Sequence, residues 1–511
     1  MAAAWTSCAS RFVWDEPWTA LSKPGPGGRP LWFSGGRINY GKSLFRRGFD
    51  DREALVVYRS PSERRAYTYA LLLEQVRRVV ALLERSGVRK GGRILVYCRS
   101  KEHQALLALA SFYYGVQFGI VFRRFPPDVV RPLIRGSRAS HIFYDEAPPP
   151  VGRALKLDLS KLPAPTSIPP QPVAASLPTS LLFSSGTIGE QPKVFLSNPA
   201  GAWVHFQHFF ETTLGWVGPR AYLCMLDFGF GSFPMCSGLL GPLLVGGKAV
   251  LLDFDHRVHQ PGVLRLLEKE GAAALVTSPA FFQGLDDAPG ELRTLKALST
   301  AGEKLRPAAL RAMRSLFPKA KIVNLVGQQE TGVYLVTPPL TRSQTRNPRR
   351  VNLLRPIAGS EYRIAGGIHL LKDTLPGIAL KALTLAGAFR RRWRGRFLLT
   401  GDVVRRRRQG IEFIGRKDKL VKLKGRQLDL GYLEETLEGL SGVRKAKCLL
   451  EEGALRLFIQ AGKRAGLGRA IRKLILRRFG TYALPGSLRF VDEFPTSASG
   501  KVLEKRLLHA S

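Results

Sequence analysis

Cysteine is scarce and scattered. The 511-residue chain has five, Cys8, Cys98, Cys224, Cys236 and Cys448. No two form a C-x-x-C pair and the count is odd, which argues against a disulfide framework and against a thiolate zinc site and fits a reducing cytoplasm. Long hydrophobic runs are also missing. The most apolar stretch, Gly238–Phe254, is broken by Gly246, Gly247 and Lys248 and falls short of the roughly 20 residues that span a bilayer. Met1–Arg11 lacks the basic start and apolar core of a secretory signal, so a soluble protein is expected. No segment repeats. Acidic residues are few, with 39 Asp+Glu against 79 Lys+Arg and a formal net charge of +40. Such a surplus attracts polyanions: nucleic acid, acidic lipid, phosphorylated small molecules or an acidic protein. The positive charge is spread along the whole chain, so a solvated arginine-rich surface explains it equally simply. No aromatic RNA-binding signature or zinc motif accompanies it, so nucleic acid is not an expected partner; peripheral contact with an anionic membrane fits the charge alone.

What is present is an α/β pattern. Helical spacing runs over Tyr67–Gly87 through Leu71, Leu72, Val76, Val79, Val80 and Leu83. The apolar run Arg93–Tyr97 reads as a buried strand, Leu106–Tyr114 as a helix, and Val116–Phe122 and His141–Tyr144 as strands. This alternation predicts a doubly wound unit. Ala147–Ser180, rich in proline and serine, reads as a linker or surface excursion. Further alternation follows in Ala249–Leu252, Val263–Lys269, Ala274–Thr277, Pro307–Leu316 and Lys321–Leu325. The arginine run Arg405–Arg408, between Phe397–Leu399 and Ile411–Ile414, reads as a solvated hairpin tip. Beyond Gly415 the texture changes: a short helix at Tyr432–Leu440, strands at Ala446–Leu450 and Leu455–Gln460, and a basic helix at Ala470–Arg478. The division expected is a large unit over 1–416 and a small α+β unit over 417–511.

Four local patterns carry chemistry. Ser184, Ser185, Gly186, Thr187 and Gly189, with Lys193 behind them, form a Gly/Ser/Thr loop directly after the strand Leu181–Phe183. Glycines let backbone N–H groups approach a polyphosphate and hydroxyls add donors; no G-K-[ST] closes the loop, so it is not a Walker A element. In Asn324-Leu-Val-Gly327-Gln-Gln329-Glu330-Thr-Gly332 a carboxylate stands at a strand end, where α/β proteins place ligands and where it suits a Mg²⁺ ion. Gly401-Asp402, followed by Arg416, offers a carboxylate for ribose hydroxyls and a guanidinium for sugar or phosphate. Phe494–Val502 puts Lys501 on a glycine-flexed loop. Each has a plain alternative: a polar turn, an exposed carboxylate, a surface arginine, a solvated tail lysine.

In this order and spacing the four patterns resemble the adenylate-forming superfamily of acyl-CoA synthetases, adenylation domains and luciferases, over most of the chain. Trp32-Phe33-Ser34-Gly35-Gly36-Arg37-Ile38-Asn39, the segment Tyr114–Phe125, Leu226-Asp227-Phe228-Gly229-Phe230 and Ala301-Gly302-Glu303 resemble the acetyl-CoA synthetase branch in particular. The resemblance implies a large multi-subdomain adenylation domain with a small mobile α+β domain behind it. It implies ATP, Mg²⁺ and coenzyme A as cofactors and a small-molecule carboxylic acid as substrate. By resemblance, Ser184–Gly189 and Lys193 hold phosphates, Gly302 and Glu303 flank adenine, and Asn324 and Gln329 line the nucleotide site. Glu330 takes Mg²⁺, and Asp402, Arg416 and Gln427 contact ribose or phosphate. Lys501 stabilises the charge that develops during adenylation, and Asp418 is the hinge. Gly327 stands where acetyl-CoA synthetases carry a tryptophan that walls off the acyl pocket, which implies an acyl group larger than acetate. Several positions depart from the family: Ile188 and Gln329 for threonines, Gln427 for an arginine with Arg426 beside it, and no evident arginine pair for the CoA phosphate beyond Arg153. Three readings follow: an acyl-CoA synthetase, an acyl-AMP ligase loading an acidic carrier protein, and a homologue that binds polyanions without turnover.

Overall fold

The computed structural model describes the chain except residues 1, 26–29, 123, 124, 126, 179, 185–192, 198, 216, 217, 256–259, 283–291, 347–350, 358, 374–380, 425, 463, 496–501, 503, 510 and 511. It gives backbone alone at 2–4, 199, 202, 345, 346, 381, 388, 418, 420, 427, 435, 505 and 509.

The first α/β layer follows the predicted alternation. Thr68 caps the helix Tyr69–Arg85 by accepting from the Leu71 N–H, and Leu72, Val76, Val79, Val80 and Leu83 are buried on one face. The helix Lys101–Tyr114 starts from Ser100, ends on the left-handed Gly115, and is buried nearly all round. An all-round buried helix belongs inside a molecule rather than on it, and this one carries core residues against Tyr40, Trp203 and Leu251 alike. The strands Arg93–Tyr97, Gln117–Ile120 and His141–Tyr144 pair in parallel within a seven-stranded sheet. Ser180–Ser184 and Lys193–Ser197 continue that sheet as an antiparallel hairpin, with Ser184 opposite Lys193.

A second sheet of 14 strands carries the site. Its middle is parallel: Glu53–Tyr58, Lys248–Leu252, Ala221–Cys224, Ala272–Thr277, Ala297–Ala301 and Lys321–Gln328 lie side by side. At Lys321–Gln328 the direction reverses. Gly332–Val336 returns antiparallel, and Leu353–Pro356, Gly410–Arg416, Phe397–Arg407 and Ile368–Lys372 follow antiparallel as well. The turn Gln329–Thr331 therefore sits where the doubly wound half meets the antiparallel half. The Arg405–Arg408 run does end a hairpin, with Arg407 opposite Gly410.

Residues 147–180 are not a simple linker. Ala154–Lys156 adds an edge strand beside His141–Tyr144, and Val173–Ala174 pairs with Arg37–Ile38. Two- and three-residue pairings leave no periodicity in sequence, and prolines are tolerated at such edges.

The last part of the chain has its own core. Leu423, Leu428, Leu433, Leu437, Cys448, Leu457, Ile471 and Ile475 are buried together. They hang on the helices Leu430–Glu438 and Leu467–Arg478 and on a sheet of Val443–Glu451, Ala454–Ala461 and Ser487–Val491. Among the described residues no helix is long and apolar enough to cross a membrane.

Candidate adenylation site

The residues singled out on the two central strands converge at their ends. Asn324, fully buried, is fixed on three sides. Its Oδ1 accepts from Thr300 Oγ1 at 2.8 Å, its backbone N–H donates to Thr337 Oγ1 at 2.9 Å, and its Nδ2 donates to the Glu303 carbonyl at 3.5 Å. That last bond ties the Gly302–Glu303 loop to the strand. Gly302 has φ +90° and open space where a Cβ would stand, so bare backbone borders the recess there.

Four residues on, Gln328 reaches across the sheet. Its Nε2 donates to the Thr400 carbonyl at 2.7 Å and lies 3.5 Å from Asp402 Oδ2. Asp402 is 2% exposed. Its Oδ2 also accepts the Tyr334 hydroxyl, and its Oδ1 accepts from Arg416 Nη1 at 3.1 Å. Arg416 stands directly opposite Asp402 in the strand register and also holds the Thr400 carbonyl at 3.1 Å. Tyr334 is stacked on His369, which is stacked on Tyr362. Burial pushes the His369 imidazole down to about 4, so the middle ring of the stack is neutral at pH 7.

Glu330 is ion-paired with Arg392. The same guanidinium donates to Gln328 Oε1 at 3.1 Å and to the Leu399 and Thr400 carbonyls at 3.0 and 3.4 Å. Glu330 is the hard oxygen donor that Mg²⁺ takes. Because Arg392 already neutralises it, Glu330 alone does not make a resident metal site; a cation there has to arrive with a nucleotide's phosphates. Among the described residues one other group has metal-ligand character, Cys98, His103 and Asp145. The Asp145 carboxylate is taken up by the N–H groups of Arg99 and Ser100, just before the helix Lys101–Tyr114, and by that of Glu146 next to it, a structural role.

Gln329 leads away from the sheet. A Cβ on Gly231 would stand 2.2 Å from Gln329 Oε1, and Gly231 has φ +97°. That oxygen is buried without a hydrogen-bond partner among the described residues. Gly231 and Ser232 in turn line a cavity of about 40 Å³ walled by Phe112, Phe118, Trp203 and Leu240. Gly327 faces the opposite constraint. A Cβ there would lie 2.5 Å from the Gly332 carbonyl oxygen and 2.9 Å from Val333 Cα, because the hairpin bulges between Val326 and Gly327. The main chain itself demands glycine at 327.

Of the remaining residues expected at the site, Ser184 and Lys193 flank the Gly/Ser/Thr loop, whose Ser185, Gly186, Thr187 and Gly189 lie outside the described residues, as does Lys501. Leu182 and Phe195 of that hairpin share an apolar cluster with Phe389 and Leu398, which docks it beside the segment carrying Arg392 and Asp402. Asp418 lies in the turn Lys417–Lys419, and Gln427 stands opposite Lys422 in a short hairpin; their side chains are not described. Asn39 of the opening motif is structural. It accepts from the Lys42 N–H and donates to the carbonyls of Phe112, Tyr113 and Gln171.

Sequence reasoning missed Tyr334, Thr400 and Arg392. A buried tyrosine needs a partner for its hydroxyl, so Val333-Tyr334-Leu335 did carry a signal; Arg392 was lost in an arginine run.

A carboxylate is thus held between a phenol and a guanidinium, beside a backbone-lined recess at the ends of parallel strands. The AMP-binding enzyme family pattern matches residues 45–369, and the chain belongs to that family, within the adenylate-forming superfamily. Relatives include the acetyl-coenzyme A synthetases of Syntrophus aciditrophicus, 25% identical over 98% of this chain and 89% of the relative, and of Pyrobaculum arsenaticum, 24% identical over 99% and 88%. The fold matches an acetoacetyl-CoA synthetase from Streptomyces lividans with TM-score 0.80 at 18% identity, over 99% of this chain and 88% of that one. It also matches an anthranilate CoA ligase in complex with anthranoyl-AMP with TM-score 0.78 at 20% identity, over 93% and 97%.

Proposed function

We propose that the protein uses ATP to convert a carboxylic acid larger than acetate into an acyl-adenylate and then transfers the acyl group to a thiol, that of coenzyme A. The observation that carries this reading is the convergence of Gln328, Thr400, Asp402 and Arg416, with Glu330 joined to them through Arg392, at one end of the central strands. On this reading Asp402 accepts the ribose hydroxyls, held in place by Tyr334 and Arg416. Glu303, Gly302 and Asn324 border the adenine, and Gln329 offers its unpaired Oε1 to a donor. Ser184–Gly189 and Lys193 cradle the phosphates. A substrate carboxylate oxygen attacks the α-phosphorus, pyrophosphate leaves, and a mixed anhydride forms. The thiol then attacks the acyl carbon and AMP leaves. No covalent nucleophile of the protein is required, in keeping with five buried cysteines, none of them in a disulfide, which also suit a cytoplasmic location. Magnesium, when bound with the nucleotide, supplies charge neutralisation at the phosphates.

Residues 1–416 and 417–511 are the two units in this reading, with Asp418 as hinge, Lys501 the charge-stabilising lysine and Gln427 a contact to the nucleotide. The names of the relatives support acid–CoA ligase chemistry. Acyl size rests on the resemblance alone, because the main chain accounts for glycine at 327 and the cavity behind Gly231 and Ser232 holds only about 40 Å³.

The test is carboxylate-dependent ATP–pyrophosphate exchange over short, medium and aromatic acids, with Lys501→Ala alongside. Exchange with one acid class, lost in the variant, is expected; a folded wild-type protein silent with every acid would sink the proposal. One observation favours a second acceptor. The helix Leu467–Arg478 exposes Arg469, Arg472, Lys473, Arg477 and Arg478 with no acidic residue among them. Charge complementarity then suits an acidic carrier protein in place of CoA. Thioester formation on such a carrier but not on CoA selects that reading. Steeply salt-dependent binding to anionic vesicles without turnover selects the non-enzymatic one.

A further inference from the structure

Arg392 closes the helix Ala386–Arg391 as its C-cap and is three-quarters buried. Most of its hydrogen bonds fix its plane without using its charge. Nε donates to the Leu399 carbonyl at 3.0 Å, and Nη2 donates to the Thr400 carbonyl at 3.4 Å and to the neutral Gln328 Oε1 at 3.1 Å. Only Nη1 meets an opposite charge, the Glu330 carboxylate. The guanidinium is thus anchored to main chain on one side and ion-paired on the other. Glu330 stands on the turn between two strands, next to Gln329, and is the partner freer to move.

We propose that Arg392 is a phosphate-binding residue that exchanges Glu330 for a nucleotide's phosphate oxygens, releasing the Glu330 carboxylate to the divalent cation carried by those phosphates. The exchange conserves pairing: one guanidinium–carboxylate contact is replaced by a guanidinium–phosphate contact and a carboxylate–metal contact. With Nε and Nη2 committed to the carbonyls and Gln328, Nη1 is the group that meets phosphate, and a guanidinium held in place beforehand stabilises charge as it develops with little reorganisation. The consequence is coupling. Metal alone has to displace Arg392 from Glu330 and binds weakly; nucleotide removes the competitor, so nucleotide and metal strengthen each other by the same factor. The proposal rests on the reading that this site binds ATP, and it names the residue that site uses beyond the four sequence patterns.

The test uses the full chain with Mn²⁺ as probe, followed by electron paramagnetic resonance, with and without a nonhydrolysable ATP analogue, in wild type, Arg392→Gln and Arg392→Lys. In wild type the analogue should tighten Mn²⁺ by about tenfold or more, within the usual range of coupling. In Arg392→Gln, Mn²⁺ alone should bind several-fold tighter, with the enhancement by nucleotide largely gone. Arg392→Lys should restore part of it. Adding Glu330→Gln to Arg392→Gln should abolish the gain. In the exchange assay Arg392→Gln should lose about 100-fold in kcat, as when one preorganised donor is removed. Wild-type Mn²⁺ titrations in Arg392→Gln, whether or not its melting temperature falls, would overturn the proposal and leave Arg392 a purely structural cap. The metal titrations decide this even if no acid supports exchange, an outcome that would count against the adenylation reading alone.

Discussion

Glu270 lets the stability of the central sheet be titrated. It follows the helix Gln260–Lys269 and is 8% exposed. It accepts from the Tyr58 hydroxyl at 2.6 Å, from Arg64 Nε at 2.8 Å and from Lys248 Nζ at 2.6 Å. Burial alone raises a carboxyl pKa; here the three donors outweigh it and hold Glu270 at about 2, against 4.5 for the free side chain. A depressed folded pKa stabilises the fold above the unfolded value and loses that contribution as pH falls toward the folded one. The gap of about 2.5 pH units is worth about 3 kcal/mol, present at pH 7 and fading between about pH 5 and pH 2. Glu270→Gln keeps the shape and removes the charge, leaving Arg64 and Lys248 with Glu53 alone. The variant should be less stable than wild type by up to about 3 kcal/mol at pH 7, and the difference should shrink by most of that amount at pH 3. Urea unfolding followed by tryptophan fluorescence is the assay. All seven tryptophans lie at or before Trp393, so the signal reports the large sheets and not the C-terminal helices. Parallel loss of stability in both proteins from pH 6 to pH 3 would refute the reasoning.

Two further outcomes are expected. Tyr334→Phe removes the hydroxyl that holds Asp402 and should weaken ATP binding by about tenfold, near the lower end for one hydrogen bond to a charged group, with thermal stability changed far less; unchanged nucleotide affinity by calorimetry would show that Asp402 is positioned without it. Gly327→Ala drives a Cβ into the Gly332 carbonyl and should cost about 1–3 kcal/mol, read as a lower melting temperature. A neutral result there would show that the hairpin opens easily.

Local motifs were legible because their residues are neighbours in sequence. Gln328-Gln329-Glu330 closes one strand and Gly401-Asp402 lies within another, Phe397–Arg407, and the strand that places them carries its own hydrophobic signature. Arg416 was legible because it follows Asp402 through a single hairpin. Tyr334 and Arg392 act on those residues across the sheet; the apolar neighbours of Tyr334 say that its hydroxyl needs a partner but not which one, and Arg392 is one arginine among five. Gly327 was legible as a missing side chain, but the reason lies in a bulge between antiparallel strands, which only the register reveals. The segment 147–180 was read as a linker or surface excursion because edge pairings of two or three residues leave no period to detect.

The strand Glu53–Tyr58 has one neighbour close by in sequence and the other, Lys248–Leu252, almost two hundred residues further along. During synthesis at about 5–20 residues per second, the early hairpin waits roughly ten to forty seconds for the strand that covers its open edge. Through that interval Leu55, Val56 and Val57, all buried in the finished sheet, line an unpaired edge of the kind that recruits other chains. Lys248 arrives with the covering strand and Glu270 some twenty residues behind it, so the ion cluster that secures this edge is completed only after the pairing it secures. The nascent protein thus passes through a period in which its yield is set by how well that edge is kept from other chains, whatever the stability of the finished enzyme.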